Sequence, residues 1–390
     1  MSKLRDLDLA EVTARAASAL ARATGRATTL TAAVRLSDAE RRNLIVRAVA
    51  TDDGGAARPV IVKATRAADY DPADVATLGA SGLIREWIAT ALLVSRAPHH
   101  RHGSALLAGD VSAGILVFAD LGTGLRSLVD PLLHGSADDA ERALTAYAFA
   151  LAALHADTIS CRSAYDEAFR SILGAERARA RPSLAENVAF VTDRIGPGPP
   201  PDEVELLAQR LSDPGPWLAL VHGDPCPDNA LILDGSVRLI DYEFAGPAHA
   251  LLDGSYWRMG FPSCWCAGRV PADVVARVEA SYRAELARSI PLARDDSAYR
   301  AELAYMATVS MFIRFTWLLE SALESDETWG IATKRARLLF YLEAVIELTE
   351  AARVLPGIGA AAKGWLAQLR GRWPDTTPLA LYPAFAAPPP

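Results

Sequence analysis

The chain has 390 residues, 51% of them apolar and 22% charged, with a formal net charge of −7. That length exceeds what one hydrophobic core supports, so two domains are expected, and the composition excludes a disordered or fibrous chain. The acidic balance and the lack of any dense basic run exclude a nucleic-acid binder, whose phosphate contacts need clustered Lys and Arg.

Leu9 to Thr24 carries Ala, Leu and Val at helical spacing and stops before Gly25, which predicts an opening helix. Leu44 to Val49 and Pro59 to Ala64 are β-branched runs separated by Asp52-Asp53-Gly54-Gly55, the turn chemistry of an antiparallel pair. Ser81 to Val94 reads as a helix and Gly114 to Ala119 as a buried strand. That strand runs into Asp120-Leu121-Gly122-Thr123-Gly124, which has the composition of a hinge. Asp138 to His155 is a long apolar-striped helix, and Glu167 to Gln209 a charged helical region broken at Ile195 to Pro201. Short strands follow at Ala219 to Val221, Leu231 to Leu233 and Val237 to Ile240. From Pro271 the pattern is mostly helical until a Pro-rich tail begins at Pro374, expected to lie along the surface or to be disordered. The expected organisation is a strand-rich domain over residues 1–119, a hinge at 120–126, a helical domain over 127–373, and the tail at 374–390.

No stretch joins a basic start, an apolar core and a small-residue cleavage site, and Arg314 interrupts the most apolar late stretch, Tyr305 to Leu323. A cytoplasmic protein with no membrane partner is therefore expected. Four cysteines in so long a chain do not make a disulfide framework, in keeping with a reducing compartment. Lysine occurs only at positions 3, 63, 334 and 363, so Lys63 at the end of a strand stands out against the arginine background.

The chemistry concentrates in Val221-His222-Gly223-Asp224-Pro225-Cys226-Pro227-Asp228-Asn229 and in Leu239-Ile240-Asp241-Tyr242-Glu243, with Asp241 twelve residues after Asn229. Phosphoryl transfer needs a carboxylate to accept a hydroxyl proton and oxygen ligands to hold Mg²⁺ on the phosphates, and this segment can supply both. HGDPCPDN with LIDYE resembles the H-x-D-x-x-x-x-N plus Asp signature of the aminoglycoside phosphotransferase and choline kinase superfamily. The resemblance implies an α+β, protein-kinase-like bilobal fold with a small antiparallel-sheet N-lobe and a larger, mainly helical C-lobe. It also implies a small-molecule kinase that uses ATP or GTP and Mg²⁺ to phosphorylate a hydroxyl group.

Position by position, the resemblance makes Asp224 the catalytic base, His222 the organiser of its loop, and Asn229 and Asp241 the magnesium ligands. Asp253 resembles the downstream acid that braces the loop, and Glu243 the acidic position after the metal Asp. Lys63 in Val60-Ile61-Val62-Lys63 and Glu86 on the following helix resemble the pair that clamps the nucleotide phosphates. Ala119 and Leu121, at the linker, are the candidates for backbone contact with the adenine edge. No G-x-G-x-x-G precedes Lys63, so phosphate contact falls to backbone amides or side chains near Leu36 to Asn43, such as Ser37. Nor does an APE motif follow, which counts against a protein substrate.

Gly122-Thr123-Gly124 is no dinucleotide fingerprint, because Ser127 stands at the third glycine position. Cys264-Trp265-Cys266 without a second pair reads as two buried thiols rather than a zinc site. Trp257 and Trp265 are candidates for the acceptor pocket, with an aromatic cage suiting a choline-like cation. Carboxylates such as Glu243 and Asp253 would instead suit an aminoglycoside or amino sugar. The competing class is a nucleotide-binding regulator that keeps the fold without the chemistry.

Overall fold

The structure is a computed structural model that describes residues 4–38, 40–73, 78–96, 102–173 and 183–386. The chain divides into two compact units. The first comprises Met1–Leu125, Arg162–Ala180 and Ile240–Gly246, and the second Arg126–Cys161, Arg181–Leu239 and Pro247–Pro390. This partition departs from a single cut at the hinge, because two later segments, one of them carrying Asp241, belong to the first unit.

The first unit opens with helix α1 (Leu9–Thr24), capped by the Asp8 side chain and closed by Gly25 in the left-handed conformation. Strands β1 (Thr28–Arg35), β2 (Asn43–Asp52) and β3 (Ala57–Thr65) follow, then helix α2 (Leu78–Arg96), β4 (Leu106–Asp110) and β5 (Ile115–Ala119). The five strands form one sheet in the order β1-β2-β3-β5-β4, with every adjacent pair antiparallel. Strand alternation decides which side chains go where. Val60, Val62 and Ala64 of β3 pack with Ala16 and Leu20 of α1, whereas Ile61 lies with Leu83 and Trp87 of α2. Lys63 shares the parity of Ile61, and so a lysine at this position of a central strand is turned toward α2. On β4, a Cβ at Gly109 would fall 2.6 Å from the Trp87 indole, so the close approach of α2 requires glycine there.

The second unit begins at β6 (Arg126–Ser127), followed by α3 (Val129–His134) and α4 (Ala137–Asp157). Next in the chain come α5 (Arg162–Leu173), which belongs to the first unit and packs there on α2, and then, back in the second unit, α6 (Leu184–Ile195) and α7 (Pro201–Ser212). Strands β7 (Leu218–Val221), β8 (Ala230–Leu233), β9 (Ser236–Leu239) and β10 (Gly246–His249) precede helices α8 (Leu251–Gly254), α9 (Ala272–Leu286), α10 (Asp296–Glu324), α11 (Lys334–Ala352) and α12 (Pro356–Arg372). β6, β8 and β9 form a three-stranded sheet, and β7 pairs with β10. Helix α4 packs on α9, and α10 packs on α6 and α11, so the core of this unit is helical.

The strands β1 and β4 and the short helix α3 escape the sequence patterns. β1 (TTLTAAVR) is an exposed edge strand with no apolar alternation to reveal it. The start of α6 is marked by a capping box of Ser183 and Glu186 inside what reads from sequence as one charged helical stretch. The part of that stretch over residues 174–182 lies outside the described residues. The Pro-rich tail lies along the surface, one of its two expectations, and is anchored there at two points. Leu379 and Tyr382 are buried, the Tyr382 ring packs on Phe261, and the chain pairs with Arg269 through Arg269 N–H to Ala380 O at 2.8 Å and Tyr382 N–H to Arg269 O at 3.0 Å. Two buried apolar side chains and a backbone ladder outweigh the prolines, and only residues 387–390 lie outside the described part. No single helix among the described residues is long and apolar enough to cross a membrane.

His249 gives the second unit a pH dependence. Its ring stacks on Trp217 at 5.6 Å, Nδ1 accepts from Leu251 N–H at 3.2 Å, and Nε2 faces Glu302 Oε2 at 3.2 Å. Because Nδ1 is an acceptor, the ring is neutral. Burial holds its pKa below the ordinary 6.5 even though Glu302 pulls the other way. The unfolded chain therefore binds a proton that the folded one does not, and stability falls as pH drops through about 6.5. Melting temperature measured from about pH 7.5 to about pH 5 is expected to fall more steeply for the native protein than for His249→Gln, which removes this group's contribution.

Candidate active site

In the first unit the Lys63 ammonium is placed between two carboxylates. Nζ lies 2.5 Å from Glu86 Oε2 on α2 and also donates to Asp241 Oδ1. Lys63 and Glu86 are both buried, whereas the Asp241 carboxylate is 37% exposed. Asp241 has a φ of 67°, a left-handed conformation uncommon for a residue with a Cβ, and this turns its carboxylate toward β3. Burial disfavours the charged ammonium, but the carboxylates of Asp241, Glu86 and Glu243 outweigh it and hold Lys63 above its ordinary range. For Glu86 the burial dominates and raises its pKa against the pull of Lys63. Glu243 pairs with Arg42 from the β1–β2 connection, and Tyr242 Oη donates to His102 O at 3.1 Å. The Asp-Tyr-Glu triplet is thus tied down residue by residue within one unit.

In the second unit the loop after β7 is built around a buried carboxylate. Asp253 Oδ2 accepts from His222 N–H at 2.6 Å and Oδ1 from Gly223 N–H at 3.1 Å, while His155 Nε2 lies 3.3 Å from Oδ2. His155 is held in turn by Tyr282 Oη at 2.9 Å. Tyr147 Oη donates to Pro225 O at 2.6 Å, and Leu220 N–H to Thr158 Oγ1 at 3.1 Å. Asp224 therefore leaves a loop whose backbone is pinned on both sides. Asn229, at the end of a 3₁₀ turn (Pro227–Asn229), donates Nδ2 to Asp224 O at 3.1 Å, which leaves its Oδ1 as the remaining acceptor. Burial raises the Asp224 carboxyl, opposed by a hydrogen bond from Ser263 and by the charges of Arg314 and His222.

These donors suit a hard cation. Asn229 Oδ1 in the second unit and the Asp241 carboxylate in the first are each oxygen donors, neither a thiolate nor an imidazole, a chemistry that suits Mg²⁺ over zinc. Among the described residues no group of three or more His, Cys, Asp or Glu could hold a metal.

Several sequence assignments change. Trp257 is 1% exposed and packs edge-on against Tyr147 and Tyr282, so it is core and lines no acceptor pocket. Trp265 is 38% exposed and donates Nε1 to Asp228 Oδ2 at 3.0 Å. Asp253 is committed to backbone amides and Glu243 to Arg42, so neither is a loose carboxylate awaiting a cationic acceptor. Ala119 commits its N–H to Ala105 O at 2.9 Å, and its carbonyl takes the Ser104 hydroxyl, so its amide is not available to an adenine edge. Leu121 sits beyond it in an irregular stretch anchored by Arg47, which binds Asp120 and, at 2.7 Å, Gly122 O. Ser37 accepts from Ile45 N–H at 3.0 Å and serves the β1–β2 connection.

The cysteines depart furthest from expectation. Cys226, within the HGDPCPDN segment, is disulfide-bonded to Cys264, while Cys161 and Cys266 are free and buried. The C-x-C pair is thus neither a zinc site nor two equivalent thiols. Sequence reasoning also missed Ser263, Tyr256 and Arg314. Ser263 Oγ lies 2.5 Å from Asp224 Oδ1 and 3.2 Å from Tyr256 Oη, to which Arg314 Nη2 donates at 2.8 Å. A serine in a turn and an arginine within an apolar helix carry no motif; only the arginine's place in the stretch Tyr305 to Leu323 hinted at a buried role.

Removing the Asp253 carboxylate leaves two buried backbone N–H groups without an acceptor, each costing about 1–3 kcal/mol. Urea unfolding of Asp253→Ala is expected to show a loss of about 3 kcal/mol or more, read as a lower midpoint at unchanged slope.

The family model described as phosphotransferase enzyme family (APH) matches residues 87–291, more than half of the chain. A search of curated proteins finds no match. Among solved structures, the choline kinase LicA from Streptococcus pneumoniae is similar at 14% identity and TM-score 0.44, covering 82% of this chain and 94% of that one. A putative fructosamine-3-kinase from Thermobifida fusca is similar at 18% identity and TM-score 0.45, over 87% of this chain and 100% of that one. A thermostable mutant of aminoglycoside phosphotransferase APH(4)-Ia is similar at 13% identity and TM-score 0.42, over 87% and 99% respectively. With Lys63, Glu86 and Asp241 gathered in one unit, the HGDPCPDN loop braced in the other, and the family model spanning residues 87–291, the chain belongs to the APH phosphotransferase family.

Proposed function

We propose that this protein is a small-molecule kinase that transfers the γ-phosphate of ATP or GTP to a hydroxyl group of its acceptor, with Mg²⁺ as cofactor. The observation that carries the reading is the Lys63 ammonium held by Glu86 and Asp241 from two different elements. A buried lysine held between two carboxylates has no packing purpose, and its three N–H donors allow Glu86, Asp241 and a nucleotide phosphate oxygen to be served together.

Lys63 contacts the α- and β-phosphates, and Glu86 keeps the ammonium from swinging away. Asn229 and Asp241 are the residues that would hold Mg²⁺, and when bound the ion would supply neutralisation of charge on the phosphoryl group. Asp224 orients the acceptor hydroxyl and takes its proton as the hydroxyl oxygen bonds to the γ-phosphorus and the bond to the leaving nucleoside diphosphate breaks. His222 and Asp253 hold the loop that carries this carboxylate. Asp224 and Asn229 come from one turn, and the hydrogen bond that Asn229 Nδ2 donates to Asp224 O limits how far the base and the proposed metal ligand can separate. Leu121 is the backbone candidate for the adenine edge. The acceptor is a hydroxylated small molecule of the aminoglycoside, amino sugar or choline-like class, or another such metabolite or antibiotic. Of the acceptor-wall candidates, Trp265 keeps an exposed face.

The test is release of ADP or GDP in the presence of Mg²⁺ with a panel of aminoglycosides, amino sugars, choline-type alcohols and nucleosides. One acceptor class is expected to drive release. Asp224→Asn should lower kcat by about 100-fold or more, and Asp241→Ala should abolish turnover. Lys63→Ala should act chiefly on the KM for nucleotide. Nucleotide-dependent thermal stabilisation without release for any acceptor would instead identify a nucleotide-binding regulator.

A further inference from the structure

A carboxylate used as a base must present one oxygen to the acceptor, yet the terminal torsion of Asp is broad and two-fold. Something has to choose between its two faces. Asp224 Oδ1 is capped by Ser263 Oγ at 2.5 Å, and this leaves Oδ2 as the oxygen free to meet a hydroxyl. Ser263 is 39 positions along the chain from Asp224, so the contact is a tertiary one and needs its own support.

That support is present on every side. Tyr341 Oη donates to Pro262 O at 2.8 Å immediately before Ser263. Immediately after it, the fully buried Arg337 donates to the carbonyls of Cys264 at 2.6 Å and Trp265 at 3.1 Å. The turn is also joined covalently to the base loop, since Cys264, next to Ser263, is bonded to Cys226, two residues after Asp224. The hydroxyl has its direction set as well. Arg314 donates to Tyr256 Oη, whose own proton goes to Gly223 O at 3.3 Å; the single Ser263 proton, within reach of both Tyr256 Oη at 3.2 Å and the Asp224 carboxylate at 2.5 Å, goes to the nearer and charged acceptor. Arg314 is 7% exposed and has no carboxylate in ion-pair reach among the described residues, so its buried charge is stabilised by this donor chain and by the Trp317 ring, 4.4 Å away.

We propose that Ser263 is a positioning residue for Asp224, and that the Cys226–Cys264 disulfide is the brace that holds its hydroxyl on the carboxylate. The proposal rests on the kinase reading above. A dithiol reductant cleaves the brace by exchange: the sulfur–sulfur bond breaks, Cys226 and Cys264 gain two electrons and two protons as thiols, and the reductant becomes a disulfide. The Ser263 turn is then tied to the base loop by hydrogen bonds alone. The Cys226 sulfur, 3.2 Å from the same Oδ1, becomes a thiol able to compete for it. Misplacement of a catalytic group by about 1 Å costs on the order of 100-fold, so the effect falls on turnover and not on nucleotide affinity.

The experiment measures ADP release from MgATP with the best acceptor of the panel, or with water as acceptor where none is better, for the native chain, Ser263→Ala and Ser263→Thr, each with and without dithiothreitol. Thiol titration of the unfolded chain accompanies it, with two free thiols expected before reduction and four after. Ser263→Ala is expected to lower kcat by about 10- to 100-fold with the KM for ATP within about twofold. Ser263→Thr, which keeps the hydroxyl, should return to within about threefold of native turnover. Reduction should lower kcat of the native chain toward that of Ser263→Ala and add little in Ser263→Ala itself, because the brace acts through that hydroxyl. Thermal melts establish that each variant is folded. Native kcat in Ser263→Ala, or a folded Ser263→Thr as slow as the alanine variant, overturns the positioning role. Four free thiols before reduction, or equal loss on reduction in native and Ser263→Ala chains, overturns the brace. A native chain that releases no ADP under any condition fails at the kinase reading, and the proposal falls with it.

Discussion

The buried carboxylate of Asp253 is the interaction on which the loop after β7 depends. A carboxylate removed from water is costly unless its lone pairs are met, and here they are met by the consecutive amides of His222 and Gly223 and by His155. The arrangement serves both partners. The amides of a loop leaving a strand have no ladder to join, and the carboxylate gives them one buried acceptor instead of solvent. With those amides fixed, Asp224 begins from a defined point, and the Tyr147 bond to Pro225 O and the Asn229 bond to Asp224 O define where the loop goes next.

The first unit solves a related problem with charge of the opposite sign. Lys63 is placed by strand parity on the α2 face of a central β-strand, where an ammonium cannot remain without anions. Glu86 comes from the helix that packs on that face, and Asp241 from a segment folded into the same unit although it lies 178 residues away. The left-handed φ of Asp241 shows the backbone conformation that the contact requires. Each unit therefore carries a buried or half-buried ion whose partners are recruited from distant sequence, and each such ion fixes the segment around it.

The region after β10 adds a second layer. The Phe261 to Cys266 turn, generic as sequence, is clamped by Arg337, Tyr341 and the docked tail residue Tyr382, and bonded to the Asp224 loop through Cys226. The tail thus does structural work in the second unit. It packs on the turn that touches Asp224, although its proline content alone argues for an independent, loosely held end.

What the sequence determined by itself was everything carried by short spacing. The opening helix from Leu9 to Thr24, the β2–β3 hairpin around Asp53-Gly54-Gly55, and the HGDPCPDN and LIDYE segments are legible because cap, turn and motif residues lie within a few positions of one another. Edge strand β1 was not legible, since an exposed edge has no buried face to impose alternation. Only the tertiary structure decided the partners. It sent Trp257 to the core and left Trp265 half-exposed, took the Ala119 amide for Ala105, and brought Ser263 to Asp224 and Cys264 to Cys226. The physical reason is common to all of these: burial and pairing depend on which residues the fold brings within about 3–4 Å, and no local pattern encodes a contact made across dozens of residues.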